Sequence, residues 1–182
     1  VDFDFSGLAE NAYGWWKITN GQVDFSYVGY EQNGSNWWYV YGGQVCFQAT
    51  DVLPGTVGGQ YGWWKVCEGK VNFDDDVCEN AYGWWEITTG KIDFQYTGLA
   101  QNACGWWMIQ NGHVNFGSNG LVDNGNGWWL VKNGGVDFNY NGLVDNGNGW
   151  WLVKNGCVDF SYQGYVQNEC GVWWVSNGQV QF

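Results

Sequence analysis

The side chains in this sequence best equipped to hold a ligand are tryptophans, and they come in adjacent pairs. Trp-Trp stands at 15–16, 37–38, 63–64, 84–85, 106–107, 128–129, 150–151 and 173–174. The face of an indole ring attracts a cation centred within about 6 Å. It also offers a flat apolar platform to a sugar ring. Groups for catalysis are poorly supplied. Asp24, Asp93, Asp137 and Asp159 recur at one position of a repeating pattern. Glycoside hydrolysis instead needs two carboxylates facing each other across a single pocket. His113 is the only histidine, which leaves no material for a triad or a zinc site. Asp74–Asp76, Asp123 and Asp145 carry oxygens that calcium uses, but without the spaced ligands and closing glutamate of a calcium loop. The reading is a non-enzymatic chain without cofactor or metal.

Composition narrows the partners. Six lysines, no arginine and a net charge of −12 leave nothing to neutralise phosphates, so nucleic acid is excluded. No apolar run approaches the roughly 18 residues of a membrane-spanning segment. Cys46, Cys67, Cys78, Cys104, Cys157 and Cys170 form an even set without the C-x-x-C spacing of metal sites. They point to disulfides and an oxidising, extracellular setting. The expected bridges join sequence neighbours: Cys46–Cys67, Cys78–Cys104 and Cys157–Cys170. The first residue is Val1, which suits a processed or excised segment.

The elements that must carry these residues follow from a repeat. Phenylalanines at 3, 25, 47, 73, 94, 116, 138, 160 and 182 are 22 residues apart, except for gaps of 26 and 21 around the third repeat. Residues 119–134 and 141–156 are identical, as expected of a recent duplication. A fixed period of this size means stacked supersecondary units, each too small to bury its own apolar face. Thirty glycines and one proline favour short strands and tight turns. The expected fold is therefore all-β, a β-solenoid of stacked hairpin repeats of about 22 residues. The expected layout is a single array over 1–182. It opens with a half repeat at 1–14, in which Val1–Phe3 is a second strand lacking its first. Eight hairpins then start near 15, 37, 63, 84, 106, 128, 150 and 172, with an irregular loop at 48–62.

Within a unit, Asn20-Gly21 predicts a type I′ hairpin turn. Thr19 then faces Gln22, Ile18 faces Val23 and Trp16 faces Phe25, so Trp16, Ile18, Val23 and Phe25 share one face, read as the core. The first tryptophan of each pair falls on the other face, beside variable residues such as Lys17, Glu86 and Leu130. That face is expected to be partly exposed, with Lys17 paired to Asp24. In the last unit Val172 takes the first-tryptophan position and Trp173 the core one.

The pattern G-W-W-x-V-x-N-G-x-V-D-F-x-Y-x-G-L-x-x-N resembles tandem repeats of secreted wall lysins and surface proteins of clostridia-like Gram-positive bacteria. More distantly it is similar to the choline- and glucan-binding hairpin repeats, although the second strand reads V-D-F where choline-binding repeats carry a later W-Y-Y cluster. The resemblance implies a solenoid whose ligand sites are built from aromatics of successive repeats. Carried over, these are Trp15, Trp37, Trp63, Trp84, Trp106, Trp128 and Trp150, flanked by Tyr27, Tyr96, Tyr140 and Tyr162. The expected function is attachment to cell wall or host glycan, in a secreted or surface protein. The alternative is a structural subunit that associates with copies of itself in an extracellular filament or stalk.

Overall fold

The computed structural model describes residues 2–182; of the strand expected over Val1–Phe3, Val1 lies outside the described residues, and Asp2 and Phe3 are not strand but lead into a turn. These residues form 24 strands and no helix. The strands come in sets of three, the first being β1 (Gly7–Asn11), β2 (Gly14–Thr19) and β3 (Gln22–Val23). The pattern recurs to the last set, Gln163–Asn168, Gly171–Ser176 and Gln179–Val180. Contacts divide the chain into two compact units, one ending at Phe94 and the other spanning Gln95–Phe182. Each holds four sets.

The turn chemistry behaves as the sequence implies. Asn20 and Gly21 take φ of 50° and 73°, and Ile18 pairs with Val23 and Thr19 with Gln22. The glycine is required twice over. A Cβ on Gly134 (φ +79°) would stand 2.6 Å from the Asn115 carbonyl oxygen of the preceding repeat. Only a residue without a side chain permits both the left-handed turn and that approach. The approach is what lets the repeats bond. The Lys17, Tyr39 and Lys65 amides donate to the carbonyls of Gly43, Gly69 and Gly90 in the next repeat, each at 2.8 Å. In the second unit Met108, Leu130 and Leu152 donate likewise to Gly134, Gly156 and Gly178.

Three expectations are corrected. The stretch resembling Y-x-G-L-x-x-N, read as a loop, forms a strand in each set: Gly7 pairs with Ile18, Ala9 with Trp16 and Asn11 with Gly14. Repeats therefore begin near residue 7, and the hairpin read from sequence is only the second half of each. The irregular loop at 48–62 is a longer hairpin, Asp51–Val57 against Gln60–Cys67, turning on Gly58-Gly59. Its extra rungs bring Val57 into a cluster with Tyr30, Trp64, Val66 and Val71.

The core is the third correction. Val40, Ile87, Ile109, Val131, Val153 and Val175, all in the Ile18 position, are fully buried. Phe25, by contrast, is 69 % exposed, the phenylalanines from Phe47 to Phe160 lie near 40–50 %, and Phe3 and Phe182 are more exposed than those. The supposed outer face is buried instead: Lys17 is 9 % exposed, Glu86 5 % and Leu130 4 %. The reason is stacking. Leu130 and Trp128 of one repeat pack on Trp151, Val153 and Val158 of the next. Leu152 and Trp150 do the same with Trp173, Val175 and Val180. The outer face of one repeat is covered by the inner face of its successor, so the core lies between repeats. Lys17 is tolerated there because Glu31 of the next repeat meets its ammonium at 2.8 Å, and Lys65 meets Asp76 at 2.7 Å. Asp24, the partner expected for Lys17, instead accepts hydrogen bonds from Ser26 and Thr19.

Candidate ligand-binding site

Adjacent residues of a strand point to opposite faces, so a pair inside a unit, such as Trp128–Trp129 or Trp150–Trp151, serves two junctions at once. Within a repeat, the second tryptophan meets the phenylalanine edge to face: Trp16–Phe25 at 5.8 Å, Trp38–Phe47 at 5.4 Å and Trp151–Phe160 at 5.7 Å. The first tryptophan of the preceding repeat closes the set. Trp15 lies 5.9 Å from Trp38 and 6.4 Å from Phe47. Trp106 lies 5.1 Å from Trp129 and 6.0 Å from Phe138. Trp128 lies 4.9 Å from Trp151 and 5.7 Å from Phe160, and Trp150 lies 5.4 Å from Trp173 and 6.0 Å from Phe182. Each of these four junctions thus brings three rings together, tilted or edge to face. The ring faces left open by this packing suit a compact organic cation, because an aromatic face attracts positive charge while the edges serve ring-to-ring contact.

The second wall is held by a hydrogen bond legible in the sequence. Asn11 Oδ1 accepts both the Tyr13 amide (2.8 Å) and the Trp16 indole N–H (3.1 Å). Asn80, Asn102 and Asn168 repeat this double bond to Trp85, Trp107 and Trp173. In the duplicated D-N-G-N-G repeats, Asn124 and Asn146 accept only the amides of Asn126 and Asn148. The buried Nε1 atoms of Trp129 and Trp151 are left without a partner.

Of the residues expected at the site, Trp15, Trp37, Trp63, Trp106, Trp128 and Trp150 lie half-buried on the junction side of their strands, and Trp84 is half-buried too. They do not form a ladder of their own kind, because the second tryptophan and phenylalanine of the next repeat come between them. Those two residue types were assigned to the core from sequence. Their half-exposed phenylalanines mark them as walls instead. Tyr27, Tyr96, Tyr140 and Tyr162 brace the following strand, donating to the carbonyls of Tyr30, Leu99, Leu143 and Tyr165. Lys132 and Lys154 lie over Tyr140 and Tyr162 at 4.3 Å, so the chain already uses cation–π contacts internally.

All six cysteines are free thiols, so the bridges Cys46–Cys67, Cys78–Cys104 and Cys157–Cys170 are not formed in this structure. Cys104 and Cys170 are exposed in the tight turn between the two long strands of their repeats, while burial, aided by Asp76, pushes the Cys78 thiol up to about 12. The aspartates disperse into turns and ion pairs. Asp75 accepts the Thr89 amide, Asp76 holds Lys65, and Asp123 and Asp145 accept the amides of Gly125 and Gly147. His113 sits beside a hairpin turn, paired with Gln110.

The choline-binding repeat profile matches residues 4–24, 26–46, 75–93, 95–115, 117–137 and 139–159, more than half of the chain. The chain belongs to the choline-binding repeat family. The matches pass over the long hairpin and the last repeat. Among solved structures it is similar to CbpJ from Streptococcus pneumoniae TIGR4, at 16 % identity and a TM-score of 0.38 over 92 % of this chain and 56 % of that one. Choline binding protein F from Streptococcus pneumoniae gives 18 % and 0.37 over 94 % and 58 %. Alternansucrase in complex with isomaltononaose gives 13 % and 0.32 over 97 % and 15 %. The chain thus spans little more than half the length of the two streptococcal structures. No curated protein matches the sequence.

Proposed function

We propose that this chain is a non-enzymatic attachment module of a secreted or surface protein. It holds quaternary ammonium groups of the choline class, carried on a cell-wall polymer, in cages between successive repeats. The observation that supports this reading is the recurrence of one three-ring arrangement, Trp of one repeat with Trp and Phe of the next, within both units. The binding residues are Trp15, Trp37, Trp63, Trp106, Trp128 and Trp150, each acting with rings of the next repeat in its own unit, together with Trp84. V-D-F takes the place of the W-Y-Y cluster by supplying a single phenylalanine wall.

The charge balance agrees. A chain of net charge −12 concentrates cations near its surface and repels bare polyanions. Several weak cages in a row add avidity toward a polymer bearing many such groups. In this reading the repeats of each unit are turns of a β-solenoid. The family match lends nothing to filament assembly.

The test is calorimetric titration with choline chloride, followed by retention on choline-bearing wall polymer and release by free choline. Binding of several cholines per chain, with release by millimolar choline, is the expected result. Absence of heat with choline together with retention on an uncharged glucan would replace it by a carbohydrate reading.

A further inference from the structure

The cages differ in ways that set their order of filling. In the cage of Trp63, Trp85 and Phe94, a fourth ring is present. Tyr82 stands edge-on to Trp63, with centroids 5.4 Å apart and planes at 79°. Together with Asn80 and Ile92 these rings line a cavity of 230 Å³, several times the roughly 30 Å³ of one water. The wall is prepositioned, because the oxygen of Asn80 that accepts the Trp85 indole N–H also accepts the Tyr82 amide. The corresponding turn residue is Asn126, Asn148 or Cys170 in the cages of Trp129, Trp151 and Trp173. Two other cages carry a cation of the chain's own. Lys70 Nζ lies over the Trp38 ring at 5.9 Å, and Lys91 Nζ over Trp64 at 5.6 Å.

We propose that Tyr82 makes the cage of Trp63, Trp85 and Phe94 the highest-affinity site of the array for a compact quaternary ammonium, filled before the others. This rests on the cage reading above and assigns the aromatic residue of the tight turn beside a complete cage as the affinity-determining one. Tyr61, equally spaced before Trp64, lies within the strand Gln60–Cys67 and does not line the neighbouring cavity. Tyr13 has no preceding repeat among the described residues to complete a cage. An added aromatic wall at an exposed site strengthens binding by about twofold to fivefold. Internal ammonium groups over Trp38 and Trp64 weaken their cages by competition and repulsion.

The experiment is a titration of the ¹⁵N-labelled full chain with tetramethylammonium chloride, followed through the indole N–H resonances, with Trp63→Phe and Trp85→Phe used for assignment. The Trp63 and Trp85 signals are expected to move at concentrations several-fold below the rest. Tyr82→Ala brings them into line with the others, Tyr82→Phe preserves the order, and Tyr13→Ala, at another exposed turn, changes nothing. Tyr82 is 72 % exposed, so its removal spares the fold. Simultaneous movement of all cages in the unaltered chain, or an order indifferent to Tyr82→Ala, overturns the proposal while leaving the cages standing. A complete absence of indole shifts overturns both.

Discussion

At the scale of the residue, the proposed function makes a Trp-Trp pair inside a unit two half-sites back to back. Trp150 faces the following junction, while its neighbour Trp151 faces the preceding one, where it meets Trp128 and Phe160. Trp151→Ala is therefore expected to cost about 3–5 kcal/mol of stability and to lower the number of cholines bound by one. Urea denaturation and calorimetry check the two halves. Glu86 offers a contrasting case. It fills the position where Lys17 and Lys65 find acidic partners, and burial raises its carboxyl above the ordinary 4.5, with Thr88 partly opposing. A raised folded value means the native state holds the proton more tightly than the unfolded chain. The stability tied to this proton is full below the unfolded value and is lost as pH rises through the folded one. Glu86→Gln should then raise the melting temperature at pH 7, with the gain vanishing near pH 4. Equal gains at both pH values would contradict the burial argument. Asp24, Asp137 and Asp159 behave oppositely. Side-chain hydrogen bonds, from Ser26 to Asp24, Lys132 to Asp137 and Ser161 to Asp159, depress them, so their support is lost only as pH falls below the ordinary carboxylate range.

The elements depend on turn geometry more than on strand propensity. At Gly156 the backbone has φ of +77°, and a Cβ would stand 2.5 Å from the Asp137 carbonyl oxygen. Gly156→Ala is expected to cost at least the 1–3 kcal/mol of a strained residue, whereas Gly125→Ala, with open space around its Cβ, costs only the φ penalty. Comparing their denaturation midpoints separates contact from conformation. This turn was legible because Asn-Gly states its φ requirement in two letters. The first strand of each repeat was not. A five-residue run such as Gly7–Asn11 shows no alternation of its own, and it is strand only because β2 lies beside it to accept its hydrogen bonds.

At the scale of the whole chain, contacts run between neighbouring repeats, so stability and binding are both expected to scale with repeat number. Deleting residues 135–156, one full period inside the duplicated region, should leave the β circular-dichroism signal intact and remove one choline from the stoichiometry. Loss of cooperative unfolding in that deletion would mean that repeats are not interchangeable.

The period, the hairpin turns, the all-β class and the acidic, aromatic character of the surface are properties of the sequence alone, since each is set by neighbours along the chain. The sequence also places the two tryptophans on opposite faces, because alternation is local. It could not say that both faces are buried. That depends on what lies one repeat away, and only stacking brings Trp128 to Trp151 and Phe160. The phenylalanines show the difference most clearly. Their period marked them as core, yet they close strands too short to cover them, and the tertiary structure leaves them half open as walls.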